Sequence, residues 1–520
     1  MRPAVSGLRN CQTAILTASI ALVLTALSLP VRADDSERID ELQARIEAME
    51  AQNQQLLRAL EAKGGDAPRT ADEAGASTTL TALEAAKEAE KAPEWYEVGS
   101  DTKMTASWKN GLEIESKNHD FRVHIGGRTQ LDFGWYKADA SVQDSLPPTN
   151  RFRDGVDFRR GRFRIDGTMY ETMEWAAEFD FVNSAGAGPA ATPISVVAPT
   201  DLWWQWNAVP VMQNFRVGNV KEAIGFEHLT SSRFLNFMER SYMQDAFFGG
   251  FNNGFTPGAQ FFGNMAEERM TYNVGVYDVT TNVFGTNVGS AEYSFTGRLT
   301  ALPYYEDEGK GLLHLGVTAR QWMLDEHQAR FRTRASVRSG PSPQWPVVAD
   351  TGLINADSNQ QINVELMHQV GSFSVISEFL TSWTQKAIRK GVDVGPVIYR
   401  GAYVEALYFL TGEHRQYNRK TGVIDRVVPI ENAFFVRGVD GEPPSYGWGA
   451  WQLGARYQFL DLNSNGFNGG ILHDTTLGIN WYLNPNFKVQ ANYFYEYRLA
   501  GSGVGNGAVQ GFGIRLAHDF

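Results

Sequence analysis

The stretch TLGINWYLNPNFKVQANYFYEY (476–497) sets the pattern for most of the chain. Leu477, Ile479, Trp481 and Leu483 occupy odd positions, NPN (484–486) turns the chain, and Phe487, Val489, Ala491, Tyr493, Tyr495 and Tyr497 resume the odd positions. Gly478, Asn480, Gln490, Asn492 and Glu496 fall between them. One apolar and one polar face with a period of two, continued across a tight turn, predicts an antiparallel strand pair. FRVHIGGRTQLDFGWY (121–136), FRRGRFRIDGTMYETMEWAAEFDF (158–181), MTYNVGVYDV (270–279) and FSVISEFLTSW (373–383) have the same aromatic and β-branched texture. The last ten residues, GFGIRLAHDF, place Phe512, Ile514, Leu516 and Phe520 on one face. Two segments break the period. Ile39, Leu42, Ile46, Met49, Asn53, Leu56 and Leu60 repeat at 3, 4 spacing, which predicts a short coiled-coil helix over 34–63 with Asn53 at an a position. Residues 226–245 lack alternation, and Leu229, Phe234, Leu235, Phe237 and Met238 suit a short helical or irregular piece packed against a wall.

Residues 13–29 are an apolar run behind Arg2 and Arg9, followed by VRA (31–33), the layout of an export signal cleaved after Ala33. Residues 64–104 form a linker rich in Gly, Ala, Glu and Lys, and the packed domain is expected over 105–520. No later run reaches the length of a transmembrane helix, so membrane insertion would need a closed barrel, the other fold that satisfies the backbone in lipid. About 400 residues at ~25 per strand and connection give about sixteen strands and an aqueous lumen. The expected fold is therefore an all-β antiparallel barrel preceded by the coiled-coil helix.

Composition narrows the function. The net charge is −12, and Arg2, Arg9 and Arg32 contribute +3 of it, which leaves −15 for residues 34–520. Such a chain has no electrostatic reason to bind nucleic acid. Cys11 is the one cysteine, so residues 34–520 offer no disulfide or thiolate metal site. The nine histidines are scattered, without an H-E-x-x-H or a nucleophile constellation, so neither an enzyme nor a cofactor is expected.

Against that acidic background, QARFRTRASVRSG (328–340) places Arg330, Arg332, Arg334 and Arg338 at one parity. Facing lipid at the bilayer midplane, each would cost ~2–4 kcal/mol. They therefore belong in the lumen or above the membrane, and in a water-filled tube a row of guanidinium groups concentrates anions and offers successive weak sites.

FRRGRFRIDGTMYETMEWAAEFDF, GNVKEAIGFEHLTSSRFLNFMERSYM (218–243), ALYFLTGEHRQYN (406–418), LGINWYLNPNFKVQANY and the terminal Phe resemble, in order, the phosphate-selective porins of the O and P type. The resemblance spans nearly all of 111–520. It implies homotrimers of sixteen-stranded barrels in the outer membrane, in contact with its lipids. It also implies an inward-folded third loop and an arginine ladder leading phosphate or polyphosphate to a central site. By the same resemblance, Arg330, Arg332, Arg334 and Arg338 are the ladder; Arg128, Arg159 and Arg160 line the constriction; Asp201 is a pore-facing acid; Ser231 and Arg240 belong to the constriction loop; and Lys488 is a periplasmic cation. Arg159 and Arg160 are adjacent, so both reach the lumen only where the strand bends or bulges. Arg240 could instead pair with Glu239 or Asp245, and Asp201 could be a loop cap. The match departs at His228, which stands where the best-known phosphate channels have a lysine, and at His119, His124 and Glu174, where the periplasmic lysine cluster is thinned. Two other functions stay open. A general or sugar-preferring porin would use Trp203, Trp204 and Trp206 as a stacking slide, unless they form a membrane-interface girdle. A structural protein would tether the outer membrane to the cell wall through the coiled coil.

Overall fold

The computed structural model describes residues 96–187, 192–248, 254–279, 292–324, 328–438, 443–500 and 505–520. The expected export signal, the heptad seam and the linker up to residue 95 lie outside them. Two short strands, β1 (Met104–Trp108) and β2 (Leu112–Ser116), form a hairpin that pairs with residues 122–125 of the next strand.

Sixteen strands follow. They are β3 (Phe121–Ala138), β4 (Gly155–Met169), β5 (Met173–Ala187), β6 (Thr192–Val209), β7 (Gln213–Lys221), β8 (Phe255–Met265), β9 (Met270–Asp278) and β10 (Tyr293–Glu306). The second half comprises β11 (Gly311–Met323), β12 (Ser358–Val370), β13 (Phe373–Gln385), β14 (Val397–Phe409), β15 (Ala450–Ser464), β16 (Phe467–Asn484), β17 (Phe487–Leu499) and β18 (Gly507–Asp519). Each pairs antiparallel with its neighbour in sequence, and β18 closes on β3 from Val509↔Ala138 to Asp519↔Arg128. Closure removes the sheet edges that lipid could not hydrogen-bond. The terminal Phe520 completes the seam: its N–H donates to the carbonyl of Gly127 (3.1 Å) and its own carbonyl accepts from Gly127 N–H (2.8 Å). A Cβ at Gly127 would stand 2.6 Å from the Arg162 carbonyl oxygen and 3.0 Å from the Phe520 ring, so only glycine permits this approach.

Burial is inverted relative to a water-soluble sheet. On β12, Ile362, Val364 and Leu366 are 46, 45 and 38% exposed, whereas Gln361, Asn363 and Glu365 are buried. The odd-position apolar face of 476–497 likewise points outward, and Asn480, Gln490, Asn492 and Glu496 point inward. An apolar exterior over a polar interior is what the alternation predicts for a barrel in lipid. The NPN turn forms as expected, with the Asn484 side-chain oxygen accepting from the N–H groups of Asn486 and Phe487 at 2.9 Å each.

The connections 170–172, 210–212, 266–269, 307–310, 371–372 and 485–486 are tight turns at the end that holds the β18 terminus, which marks it as the periplasmic mouth. Among the described residues, three long connections enter the lumen. Residues 222–248 and 328–357 descend from the opposite, outer mouth, and 413–427 rises from the periplasmic mouth. The first carries two short helices, Phe226–Leu229 and Tyr242–Phe247, in place of a strand, as its aperiodic sequence predicts. Its Phe226, Phe237, Met238, Tyr242, Met243 and Phe247 are buried in the apolar core, which therefore lies between this segment and the wall.

Polar anchors on the wall hold the same segment. Glu378 on β13 accepts from the N–H groups of Phe226 (2.9 Å) and Glu227 (2.8 Å), and Asn492 on β17 accepts from Met238 N–H (2.8 Å). Lys488 donates to the Leu235 carbonyl (2.9 Å). These contacts satisfy backbone groups that a non-helical segment inside a barrel would otherwise leave buried and unpaired.

Candidate functional site

The segment 222–248 divides the lumen into two chambers, and Phe255 lines both. The outer chamber, about 440 Å³, is lined by Arg330, Arg332, Arg334, Arg320 and His228 together with Glu222, Asp245 and Glu292. The inner one, about 330 Å³, carries eight cationic side chains against three carboxylates.

The stretch expected to form the ladder lies at the outer chamber. Phe331, Thr333, Ala335 and Val337 pack inward against protein, while Arg330, Arg332 and Arg334 face the chamber. Only 328–329 and 332–334 are strand, however, and they belong to the inward loop, not to the barrel wall. The side chains become less exposed with depth, from 42% at Arg330 to 15% at Arg334 and 5% at Arg338.

Acids meet the ladder. Arg330 pairs with Asp350 through two hydrogen bonds. Arg334 donates to Asp245 at 2.7 Å, and Arg338 reaches the same carboxylate at 3.1 Å and Glu239 at 3.7 Å. Burial opposes ionisation of Asp245, yet the two guanidinium groups hold its carboxyl below the usual range. Trp345 lies under Arg159, Arg334 and Arg338 at 4.6, 5.6 and 5.4 Å. Asp245 and Glu239 belong to 222–248 and the arginines to 328–357, so these pairs clamp one inward loop onto the other.

Both Arg159 and Arg160 reach the lumen, by the bulge their adjacency required. On β3, Gln130 faces Arg160 and the next residue, Leu131, faces Phe158, which leaves Arg159 as the extra residue. Arg159 makes a bidentate contact with Glu239 (2.8 and 3.0 Å). Arg160 donates to the Gln130 side-chain oxygen (2.7 Å), and its Nε has no partner.

Arg128 donates to Glu178 (2.5 Å) and Ser232 (2.7 Å) and reaches Ser231 at 3.5 Å. Asp201 is on β6, not in a loop, and accepts from Arg164 (3.0 Å) and from the Trp203 indole (3.1 Å). Arg240 pairs with neither Glu239 nor Asp245; it donates to the carbonyls of Glu227 (2.9 Å) and Thr230 (2.6 Å).

His228 sits at the partition. Its Nδ1 meets the Gln244 amide at 3.1 Å, and its Nε2 has no partner. Burial, then Lys221, Arg240 and Arg320, hold the imidazole well below the usual histidine range, so it is neutral at pH 7. Lys488 is buried near the periplasmic mouth, where it also borders the Tyr482 ring at 5.7 Å. Of the three tryptophans, Trp204 and Trp206 point outward at 56 and 36% exposure, and Trp203 points inward against Arg216. They form no continuous slide along the lumen; the outward pair suits the interface girdle.

Arg216 and Lys221, both on β7, are the lining cations that sequence reasoning missed. Arg216 lies with its guanidinium 4.0 Å from the Trp203 ring and 4.9 Å from the Phe262 ring, and it donates from Nε and Nη2 to the Gln205 side-chain oxygen (2.8 and 2.5 Å). Lys221 donates to the His228 carbonyl (2.5 Å) and stands 5.6 Å from the Phe255 ring. Among the described residues, Arg160, Arg216, Lys221 and Arg240 have no carboxylate oxygen within 4 Å. A signal for Arg216 is present in the sequence: it stands between Phe215 and Val217, an inward cation flanked by outward apolar neighbours. Lys221 falls where the strand ends and the chain turns into the lumen, so parity gives it no face.

A closed sixteen-stranded barrel with an apolar exterior and a lumen narrowed by inward loops defines an outer-membrane porin. The chain belongs to the family "Phosphate-selective porin O and P", whose profile matches residues 123–517. It is similar to Porin O of Pseudomonas aeruginosa, 24% identical over 421 residues that make up 74% of this chain and 85% of that protein. An uncharacterized protein of Caulobacter vibrioides is also 24% identical, over 92% of this chain and 90% of that one. Among solved structures, the anion-selective porin from Comamonas acidovorans aligns at 11% identity and a TM-score of 0.43, covering 77% of this chain and all of that one.

Proposed function

We propose that this porin is a passive diffusion channel that prefers anions, with inorganic phosphate and polyphosphate among its permeants. The observation that carries the reading is the inner chamber, where Arg160, Arg216, Lys221 and Arg240 line a narrow space and, among the described residues, have no carboxylate oxygen within 4 Å, in a chamber whose eight cations outnumber its three carboxylates. The surrounding protein and lipid have a low dielectric, so the field of these groups is focused into the lumen and raises the local anion concentration. The outer ladder supports entry differently: its arginines are largely paired, and they line the mouth as weak sites that an anion can occupy and leave. Membership of the family supports phosphate as a permeant. A neutral His228 at the partition leaves that step with less attraction than an ammonium would supply. The expected assembly is a homotrimer.

The test is the reversal potential of the purified full-length protein in planar bilayers under a KCl gradient. Chloride is expected to carry most of the current; a potential of the sign that marks potassium preference would overturn the reading.

A further inference from the structure

The inner chamber is not a purely polar site. Phe255, Phe262, Tyr272, Leu229 and Ile424 share its wall with the cations. Each of the two β7 cations stands beside an aromatic ring of that wall, Lys221 beside Phe255 and Arg216 beside Phe262. They are five residues apart on one strand, roughly 16 Å at the usual rise. Arg216 donates from Nε and Nη2 to one Gln205 oxygen and lies beside two rings, which leaves its Nη1–Nη2 edge for a solute. That edge fits two oxygens of a carboxylate or of a phosphate alike, so the selection between them falls to the wall beside it. Apolar wall beside a lone cation adds nothing to the binding of a small, strongly hydrated ion. It does bind a solute that carries a flat apolar body behind its charge.

Resting on the anion-channel reading, we propose that the inner chamber binds organic carboxylates. Lys221 and Arg216 are two successive stations for the carboxylate head, and the Phe255 and Phe262 rings contact the apolar body. The channel would then pass aromatic or alicyclic monocarboxylates as a second class of permeant beside inorganic anions.

The experiment compares benzoate with acetate as blockers of the chloride current of the full-length protein in planar bilayers. They share the head group and differ in the apolar body. Benzoate is expected to reach half-block at a concentration about tenfold below that of acetate. Phe262→Ala is expected to bring the ratio toward one, and Arg216→Gln to raise the half-blocking concentration of both. Equal block by benzoate and acetate in the unmodified protein overturns the proposal, and that comparison needs no variant to fold. With chloride preference in the KCl gradient, equal block removes the organic site alone; potassium preference removes the reading beneath it.

Discussion

The outer and inner chambers lie in one barrel, a loop's thickness apart, and both are lined with arginine. They differ in what faces those arginines. Above the partition, Arg320 meets Glu222, Arg330 meets Asp350, and Arg334 and Arg338 share Asp245. Below it, Arg128, Arg162 and Arg298 are also paired with carboxylates, but Arg160, Arg216 and Arg240 donate to amide or carbonyl oxygens, and Lys221 to a carbonyl. A guanidinium paired with a carboxylate is close to neutral at a distance, whereas one bonded to a neutral oxygen keeps its field. The deep end of the row that is conspicuous in the sequence, Arg334 and Arg338, is therefore a clamp between two inward loops, and the cations without a carboxylate partner are dispersed over β4, β7 and the first inward loop.

The largest effect expected from this contrast is on stability. Asp245→Asn leaves Arg334 and Arg338 buried without their shared carboxylate, and breaking a buried ion pair from one side costs ~3–5 kcal/mol. The inward loops are expected to loosen while the wall stays closed. Limited proteolysis of the folded protein reads this as new cleavage within 222–248 or 328–357, at a wall strand content unchanged by circular dichroism. If the loops stay protected, the ladder is not a clamp.

Selectivity comes next. Lys221→Glu reverses a charge with no carboxylate partner, and the anion-to-cation permeability ratio is expected to fall about tenfold or more, equivalent to ~1.4 kcal/mol. The reversal potential under a KCl gradient measures it. A ratio unchanged within twofold would mean that the inner cations do not control permeation.

Much of the architecture was legible from alternation, because lipid forces each wall strand to show apolar residues at one parity; 476–497 gives the face, the turn and the following strand correctly. The bulge at Arg159 was legible too, since two adjacent cations on a wall with lipid behind it leave no other route into the lumen. The segment 226–245 betrayed itself by losing the period. Charge compensation was not legible. Asp245 and Arg334 are far apart in sequence, and only the folding of two loops into one lumen brings them together. The entry of 413–427 from the periplasmic side was hidden for the same reason: Arg298 on β10 donates to the carbonyls of Thr421 (3.2 Å) and Gly422 (2.8 Å), a contact between a wall strand and a distant loop that no local pattern marks.

The smallest effect is expected at the top rung. Arg330 is 42% exposed at the side chain and its partner Asp350 is 26% exposed, so the pair is solvent-screened and worth about 0–1 kcal/mol. Arg330→Gln is therefore expected to leave the thermal unfolding midpoint nearly unchanged. Its electrical effect is one of entry: an unopposed Asp350 at the outer mouth repels incoming anions only over about a Debye length, ~30 Å at 0.01 M salt and ~3 Å at 1 M. Conductance should fall by less than about twofold in dilute KCl and recover fully in 1 M KCl, whereas the Lys221→Glu deficit, set up in a narrow and poorly screened space, should persist at 1 M. Conductance measured at the two concentrations separates the cases. A loss at Arg330 as large and as salt-resistant as that at Lys221 would make the rungs equivalent and erase the distinction between the chambers.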